Sequence, residues 1–217
     1  MESCSSELLV NEIFVSLQGE GDWSGWPCFF VRLTGCNLRC LYCDTVYAYD
    51  SGKKLSIDGI IEAWRSSRVP LVQVTGGEPL IQQGTMHLAS RLIEQGAVVL
   101  LETNGSLPID GLPKRVIKVL DRKTPGSGME RLWCRENIRL LGRGDQLKFV
   151  ITNRKDYEWS KKELNNLDVP DNVQVLFSAA ADLLSPRALA GWIIEDRLPV
   201  RFQMQLHKVL WGDQRGV

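Results

Sequence analysis

What the chain lacks narrows its function before any motif is read. Nowhere in its 217 residues does an apolar run approach the roughly 20 needed to span a bilayer. The opening stretch from Met1 to Glu7 has neither the basic residues nor the apolar centre of a secretory signal, so the expected compartment is the cytoplasm. Neither sign of charge is in excess. The 26 basic and 26 acidic side chains cancel, and no block of like charge offers a surface to a phosphate backbone. Neither a direct nucleic-acid partner nor a membrane is therefore expected. There is also no internal repeat, no low-complexity tract and no convincing linker, so residues 1–217 read as a single domain.

A fourth clustered cysteine is missing too. Of the six cysteines, Cys4, Cys28 and Cys134 are scattered, whereas Cys36, Cys40 and Cys43 form Cys-x-x-x-Cys-x-x-Cys. A chain of this length can bury an adequate core without disulfides, and a reducing cytosol keeps thiols free. Three thiols within eight residues point to metal ligation. Structural zinc commonly takes two Cys pairs, and the second pair is absent. Three thiolates in one short loop instead suit three corners of a 4Fe–4S cube, leaving one iron open to a small chelating molecule.

Apolar runs with period-2 character predict strands near 28–34, 71–75, 97–102, 116–121, 146–151, 173–178 and 200–206. Between them lie helical patterns. Ser56 caps one with Ile57, Ile60, Ile61 and Trp64 on one side; Ser185 and Pro186 open another; Leu88, Ala89, Leu92 and Ile93 mark a third, stopped by Gly96. Strands alternating with amphipathic helices give an α/β fold with a parallel sheet, either doubly wound or curled into a barrel. Within the strands Phe29, Val31 and Leu33 oppose Arg32 and Thr34, and Val72 and Val74 oppose Gln73 and Thr75. In the last strand Phe202, Met204 and Leu206 oppose Arg201, Gln203, Gln205 and His207. Helices must cover the apolar face, so the polar set points into a groove or barrel fit for a polar ligand; the alternative is an edge strand with its polar face in water. The stretch from Arg122 to Gly144 reads as a connecting loop.

The cysteine spacing, with the aromatic Tyr42 before its last thiol, resembles the radical S-adenosylmethionine superfamily. So does Gly76-Gly77-Glu78-Pro79, which follows the strand near 71–75. Paired glycines there let backbone come close to a ligand. The resemblance implies a 4Fe–4S cluster on Cys36, Cys40 and Cys43, and S-adenosylmethionine held by Tyr42, Cys43, Asp44, Gly76 and Gly77. Glu102, in Glu102-Thr103-Asn104-Gly105, would meet its ribose or methionine moiety, with Lys123 and Ser178 as further cofactor contacts.

Leu17-Gln18-Gly19-Glu20-Gly21, the Asp44-Thr45 pair and Gln205-Leu206-His207-Lys208 narrow this further. From about Asn11 to Trp211 the chain resembles the 7-carboxy-7-deazaguanine synthase family. That resemblance implies an incomplete TIM-like barrel of about six parallel strands with outer helices and reduced helix content. An N-terminal substrate loop would span 11–27 and a cluster loop 35–45. The implied reaction is a lyase rearrangement: 6-carboxy-5,6,7,8-tetrahydropterin loses ammonia and contracts to 7-carboxy-7-deazaguanine, on the way to queuosine and related 7-deazapurines. The radical begins by taking hydrogen from C6, and S-adenosylmethionine is regenerated. Leu17, Gln18, Gly19, Glu20, Arg32, Thr75 and His207 would face the substrate. Arg32 is suited to its carboxylate, with an internal ion pair as the alternative. Thr45 would ligate Mg²⁺ together with the substrate's carboxylate. A homodimer and a flavodoxin or ferredoxin electron donor are implied as well. Asp121-Arg122-Lys123 and Ala179-Ala180-Ala181 depart from the family pattern, which puts cofactor contacts from those loops in doubt. Competing readings are a radical activase of a glycyl radical enzyme or anaerobic ribonucleotide reductase, and a non-catalytic zinc-binding module.

Overall fold

The computed structural model describes residues 6–217; Cys4 lies outside the described residues. One nine-stranded sheet organises them. Its strands are β1 (Glu7–Leu17), β2 (Pro27–Leu33), β3 (Lys53–Ser56), β4 (Leu71–Gly76), β5 (Val98–Thr103), β6 (Ile117–Asp121), β7 (Gln146–Ile151), β8 (Gln174–Ala179) and β9 (Arg201–Gln203). They lie in the order β3-β1-β2-β4-β5-β6-β7-β8-β9. From β2 to β9 every neighbour is parallel, while β1 pairs antiparallel with β2 and β3. Seven strands are thus parallel, one beyond the expected count of about six, and the two edge strands are not paired with each other.

Alternation along each strand sorts the side chains. Phe29, Val31, Leu33, Val72, Val74, Val99, Leu101, Leu147, Phe149 and Phe177 enter the main core, which the helices cover. The helices are α1 (Ile57–Ser67), α2 (Gly84–Glu94), α3 (Arg154–Asn166), α4 (Pro186–Asp196) and the short α5 (Leu206–Trp211). Ser56 caps α1 by accepting from Gly59 N. Ile57, Ile60, Ile61 and Trp64 are its buried stripe. Gly96 follows α2 at φ +91°, a backbone region that glycine alone enters without strain. No helix among the described residues is long and apolar enough to cross a membrane.

Crossovers β5–β6 and β6–β7 have no α-helix; only 3-10 turns at Pro125–Ser127 and Arg135–Leu140 occupy the second. That stretch is anchored by Arg122. Its guanidinium lies between the rings of Trp133 and Trp159, 4.8 Å from each, and pairs with Glu163 of α3 at 2.7 Å.

The structure corrects four readings. Asn11–Leu17 belong to β1, where pairing with β2 holds them extended, so only 18–26 of the expected 11–27 substrate loop is loop. The last strand ends at Gln203, because the chain turns into α5 from Leu206; Met204 is exposed. Thr34 points away from the polar groove and donates to Ser51 O. Arg201 stays outside the groove as well, in an ion pair with Asp22. Cys28 is fully buried in a small cluster with Phe30, Leu71 and Leu100 on the concave side.

Candidate active site

The concave face of the sheet and the loops at the carboxyl ends of its parallel strands enclose a cavity of about 690 Å³. Small-ligand sites of parallel α/β folds have this place and size. The cluster loop follows β2 and brings Cys36, Cys40 and Cys43 to the cavity wall as free, half-buried thiols. Tyr42, Asp44 and Thr45 line the wall beside them. Burial pushes the Cys36 and Cys40 thiols up, Cys40 to about 11, and a bound cation reverses that preference. The Cys36 Sγ accepts from Leu38 N at 3.4 Å and from Asn104 Nδ2 at 3.9 Å, donors that tune a thiolate-bound cluster. Among the described residues no three His, Cys, Asp or Glu side chains are disposed to hold a single metal ion. Three free thiols on one loop fit a cube whose separate corners they would share.

The glycine pair has a reason of its own. A Cβ on Gly77 would collide with the carbonyl of Gly35 and stand 2.7 Å from Cys36 Cβ; one on Gly76, at φ +154°, would collide with Leu33. The backbone that approaches most closely is thus the cluster loop itself, fixed by Glu78 N donating to Gly35 O at 2.8 Å. The fully buried Glu78 carboxylate accepts from Leu80 N, Thr103 Oγ1 and Asn104 N at 2.7–3.0 Å. Asn104 Nδ2 then donates to Asn37 Oδ1 at 3.1 Å. Three motifs far apart in sequence are so joined behind one wall of the cavity.

Across the cavity, residues 18–22 run from the end of β1 to the far strands and bridge the open side of the sheet. Gln18 Nε2 donates to Gln73 Oε1 at 2.9 Å, and Gly21 N to Gln203 Oε1 at 2.8 Å. Leu206 N donates to Gly19 O at 2.9 Å, which seats His207 against Gly19 so closely that any side chain there would strike the imidazole. Leu17, Gln18, Gly19, Glu20, Thr75 and His207 all line the cavity. Arg32 lines it too and makes an internal ion pair through one edge of its fork: its Nε donates to Glu12 at 2.6 Å, and Tyr47 shares that carboxylate at 3.0 Å.

Lys148 of β7 was not singled out from sequence, and it sits at the centre. Its Nζ is 2.9 Å from Glu20 Oε2, closer still to Glu102 Oε1, and 3.7 Å from Asp121 Oδ2. Glu20 also accepts from Gln203 at 2.8 Å and Gln205 at 3.0 Å. Burial alone would raise the Glu20 carboxyl, but the Lys148 ammonium and these donors hold it at about 2. Lys148 is likewise buried, yet the three carboxylates keep it charged, well above the ordinary lysine value. Lys123 reaches the cavity in a 2.8 Å pair with Asp121, its ammonium 5.9 Å from the Tyr42 ring centre. Gly76, Gly77 and Glu102 complete this side, with Ala180 and Ala181 from the divergent loop. Ser178 is the exception: it is buried in β8 and does not line the cavity, although Leu176 and Ala180, on either side of it along the same face, do.

A curled parallel sheet with its thiol loop at the carboxyl edge is the arrangement of radical S-adenosylmethionine enzymes, and the sequence profile of the Radical SAM superfamily matches residues 30–123. That span runs from β2 through the glycine pair to Lys123. Over 99% of its length the chain is 43% identical to the 7-carboxy-7-deazaguanine synthase of Chlorobaculum tepidum, covering 100% of that protein. It is 40% identical to the synthase of Koribacter versatilis, with 96% and 99% of the two chains covered. The crystal structure of QueE from Escherichia coli superposes with a TM-score of 0.77 at 22% identity, over 93% of this chain and 95% of that one. The chain belongs to the 7-carboxy-7-deazaguanine synthase family, and membership of the superfamily brings a 4Fe–4S cluster and S-adenosylmethionine. The activase reading is not favoured by these relatives.

Proposed function

We propose that the chain converts 6-carboxy-5,6,7,8-tetrahydropterin to 7-carboxy-7-deazaguanine with release of ammonia, inside the 690 Å³ cavity. The observation that carries this reading is one enclosure lined by three free thiols at one wall and by the Leu17–Gly21 motif at the other. A 4Fe–4S cluster on Cys36, Cys40 and Cys43, when bound, supplies the electron that cleaves S-adenosylmethionine and starts the radical reaction.

The chain's own residues bind and orient. Glu20, kept anionic by Lys148, accepts hydrogen bonds from the amide and amine edge of the pterin, and Gln18 supplies a complementary oxygen and nitrogen. Arg32 spends only its Nε on Glu12, so the rest of its fork serves the substrate carboxylate. Thr75, Leu17, Gly19 and His207 close around the ring. Tyr42, Cys43, Asp44, Gly76, Gly77, Glu102 and Lys123 form the cofactor side. Phe14, Trp23, Phe30 and Leu100 give the cavity an apolar floor that limits water.

Magnesium is the weakest-prepared group. Thr45 Oγ1 donates to Asp44 Oδ1 at 2.7 Å, and Gln205 Nε2 lies 3.5 Å from the other Asp44 oxygen. One hydroxyl beside one carboxylate is a poor magnesium site, so the ion binds well only when the substrate's carboxylate completes the oxygen shell. A flavodoxin or ferredoxin fits as electron donor, since Leu41, between two ligand positions, is 83% exposed and brings the cluster loop to the surface. A homodimer is the assembly proposed from the family, and the cytoplasm the compartment.

Anaerobically reconstituted protein with S-adenosylmethionine, dithionite, Mg²⁺ and the carboxypterin tests this reading. It predicts release of the deazapurine and ammonia, with S-adenosylmethionine recovered, and no turnover by Cys40→Ala. Cofactor cleavage with no deazapurine under the same conditions would show that the substrate is wrong.

A further inference from the structure

We infer that Lys148 is a positioning residue that ties the cofactor side of the cavity to its substrate side by holding Glu102 and Glu20 on one ammonium. The inference rests on the functional reading above, which assigns those two carboxylates to different ligands. Three facts carry it. Among the described residues Lys148 is the one cation within ion-pair reach of both Glu20 and Glu102, and its side chain is only 5% exposed. The carboxylates come from opposite ends of the site, Glu20 from the loop after β1 and Glu102 from β5 beside the Asn104–Gly105 turn. Their dependence on the lysine is unequal. Glu20 keeps Gln203 and Gln205 if the ammonium is removed, whereas among the described residues Glu102 has no hydrogen-bond or ion-pair partner besides Lys148.

A single ammonium with three protons is shared between two acceptors that ligands also address. A pterin edge that draws on Glu20 relieves part of the competition for the Nζ protons and strengthens the hold on Glu102. The position of Glu102, and with it the affinity for the ribose end of S-adenosylmethionine, then depends on whether substrate is present. Such a coupling must be reciprocal between the two ligands. Asp121 does not replace Lys148 in this role, since its close partner is Lys123 at 2.8 Å and Lys148 is 3.7 Å away.

The test uses cluster-loaded enzyme and measures S-adenosylmethionine affinity with and without the carboxypterin, for wild type, Lys148→Met and Lys148→Arg. In wild type, pterin should tighten cofactor binding by about fivefold or more, the lower end of ordinary couplings. In Lys148→Met the two affinities should converge, and KM for S-adenosylmethionine should rise more than KM for the pterin, because Glu20 retains two donors. Lys148→Arg, which can bridge both carboxylates, should restore part of the coupling. Should the Met variant not accumulate as folded cluster protein, Lys148→Gln serves, with the same expectation. Persistence of wild-type coupling in the Met or Gln variant, or none in wild type that turns over, overturns the inference alone. Wild type that forms no deazapurine overturns the functional reading and this inference with it.

Discussion

Glu20 concentrates the physics of the site in one side chain. Its carboxyl sits at about 2 in the folded protein against an ordinary 4.5, because the Lys148 ammonium outweighs the cost of burial. A depressed acid stabilises the fold at pH values above 4.5, and that contribution is lost as pH falls from about 4.5 to about 2. Glu20→Gln should therefore lower stability at pH 7 by on the order of 2 kcal/mol. Thermal melts of variant and wild type should converge as the pH is taken down through that window; a gap that stays constant to pH 2 would show that the ion pair is not its source. At this scale the sequence was legible where chemistry is local. Three cysteines within eight residues point to a ligand set without any tertiary information, and the structure brings all three to the wall of one cavity. Lys148 was not legible, because a lysine in a strand reads as a solvated residue, and its partners lie at positions 20, 102 and 121. Nothing in their spacing announces that a curled sheet brings them together.

Between elements, the contact that matters most is the crossing of the cluster loop over the end of β4. Gly77 meets Gly35 and Cys36 there with no room for a methyl group. Gly77→Ala should cost about 1–3 kcal/mol by overpacking and should lower iron content per chain, since the strain falls on the thiol loop. Denaturant melts and iron analysis of the purified variant check this; unchanged iron content would show that the glycine pair serves a ligand alone. The seven parallel strands were readable because each buries an apolar alternate face. Other elements, among them β1, β3, α3 and α5, were not. α3 has a polar sequence, and its clearest signal was its cap: Asn153 accepts from Lys155 N and Asp156 N at 2.9 and 3.1 Å. β1 opens with Leu8-Leu9-Val10, which blurs period-2 alternation, and a bulge between Val10 and Glu12 shifts its register. His207 was placed at the end of a strand, yet it reaches the cavity from α5, because Leu206 is bound to the Gly19 carbonyl.

On the scale of the whole molecule, an open sheet becomes an enclosure without closing its hydrogen-bond ladder. Residues 18–22 span the gap by pairing with side chains of β4, β7 and β9, so the motif assigned to the substrate also forms part of the wall. Two crossovers carry no α-helix, and the Arg122 sandwich between Trp133 and Trp159 packs the second against α3. A parallel α/β sheet was legible from alternating strands and helices, and the family resemblance implied the incomplete barrel; how the open side is bridged was not legible, being made by side chains from distant positions. The proposed function depends on the cavity presenting three thiols and, among the described residues, no fourth, which would leave one iron for the cofactor. Electron paramagnetic resonance of the dithionite-reduced, anaerobic protein decides that point: adding S-adenosylmethionine should shift the g-values of a 4Fe–4S signal that Cys40→Ala lacks. A signal indifferent to the cofactor, or a colourless protein loaded with zinc, would contradict it.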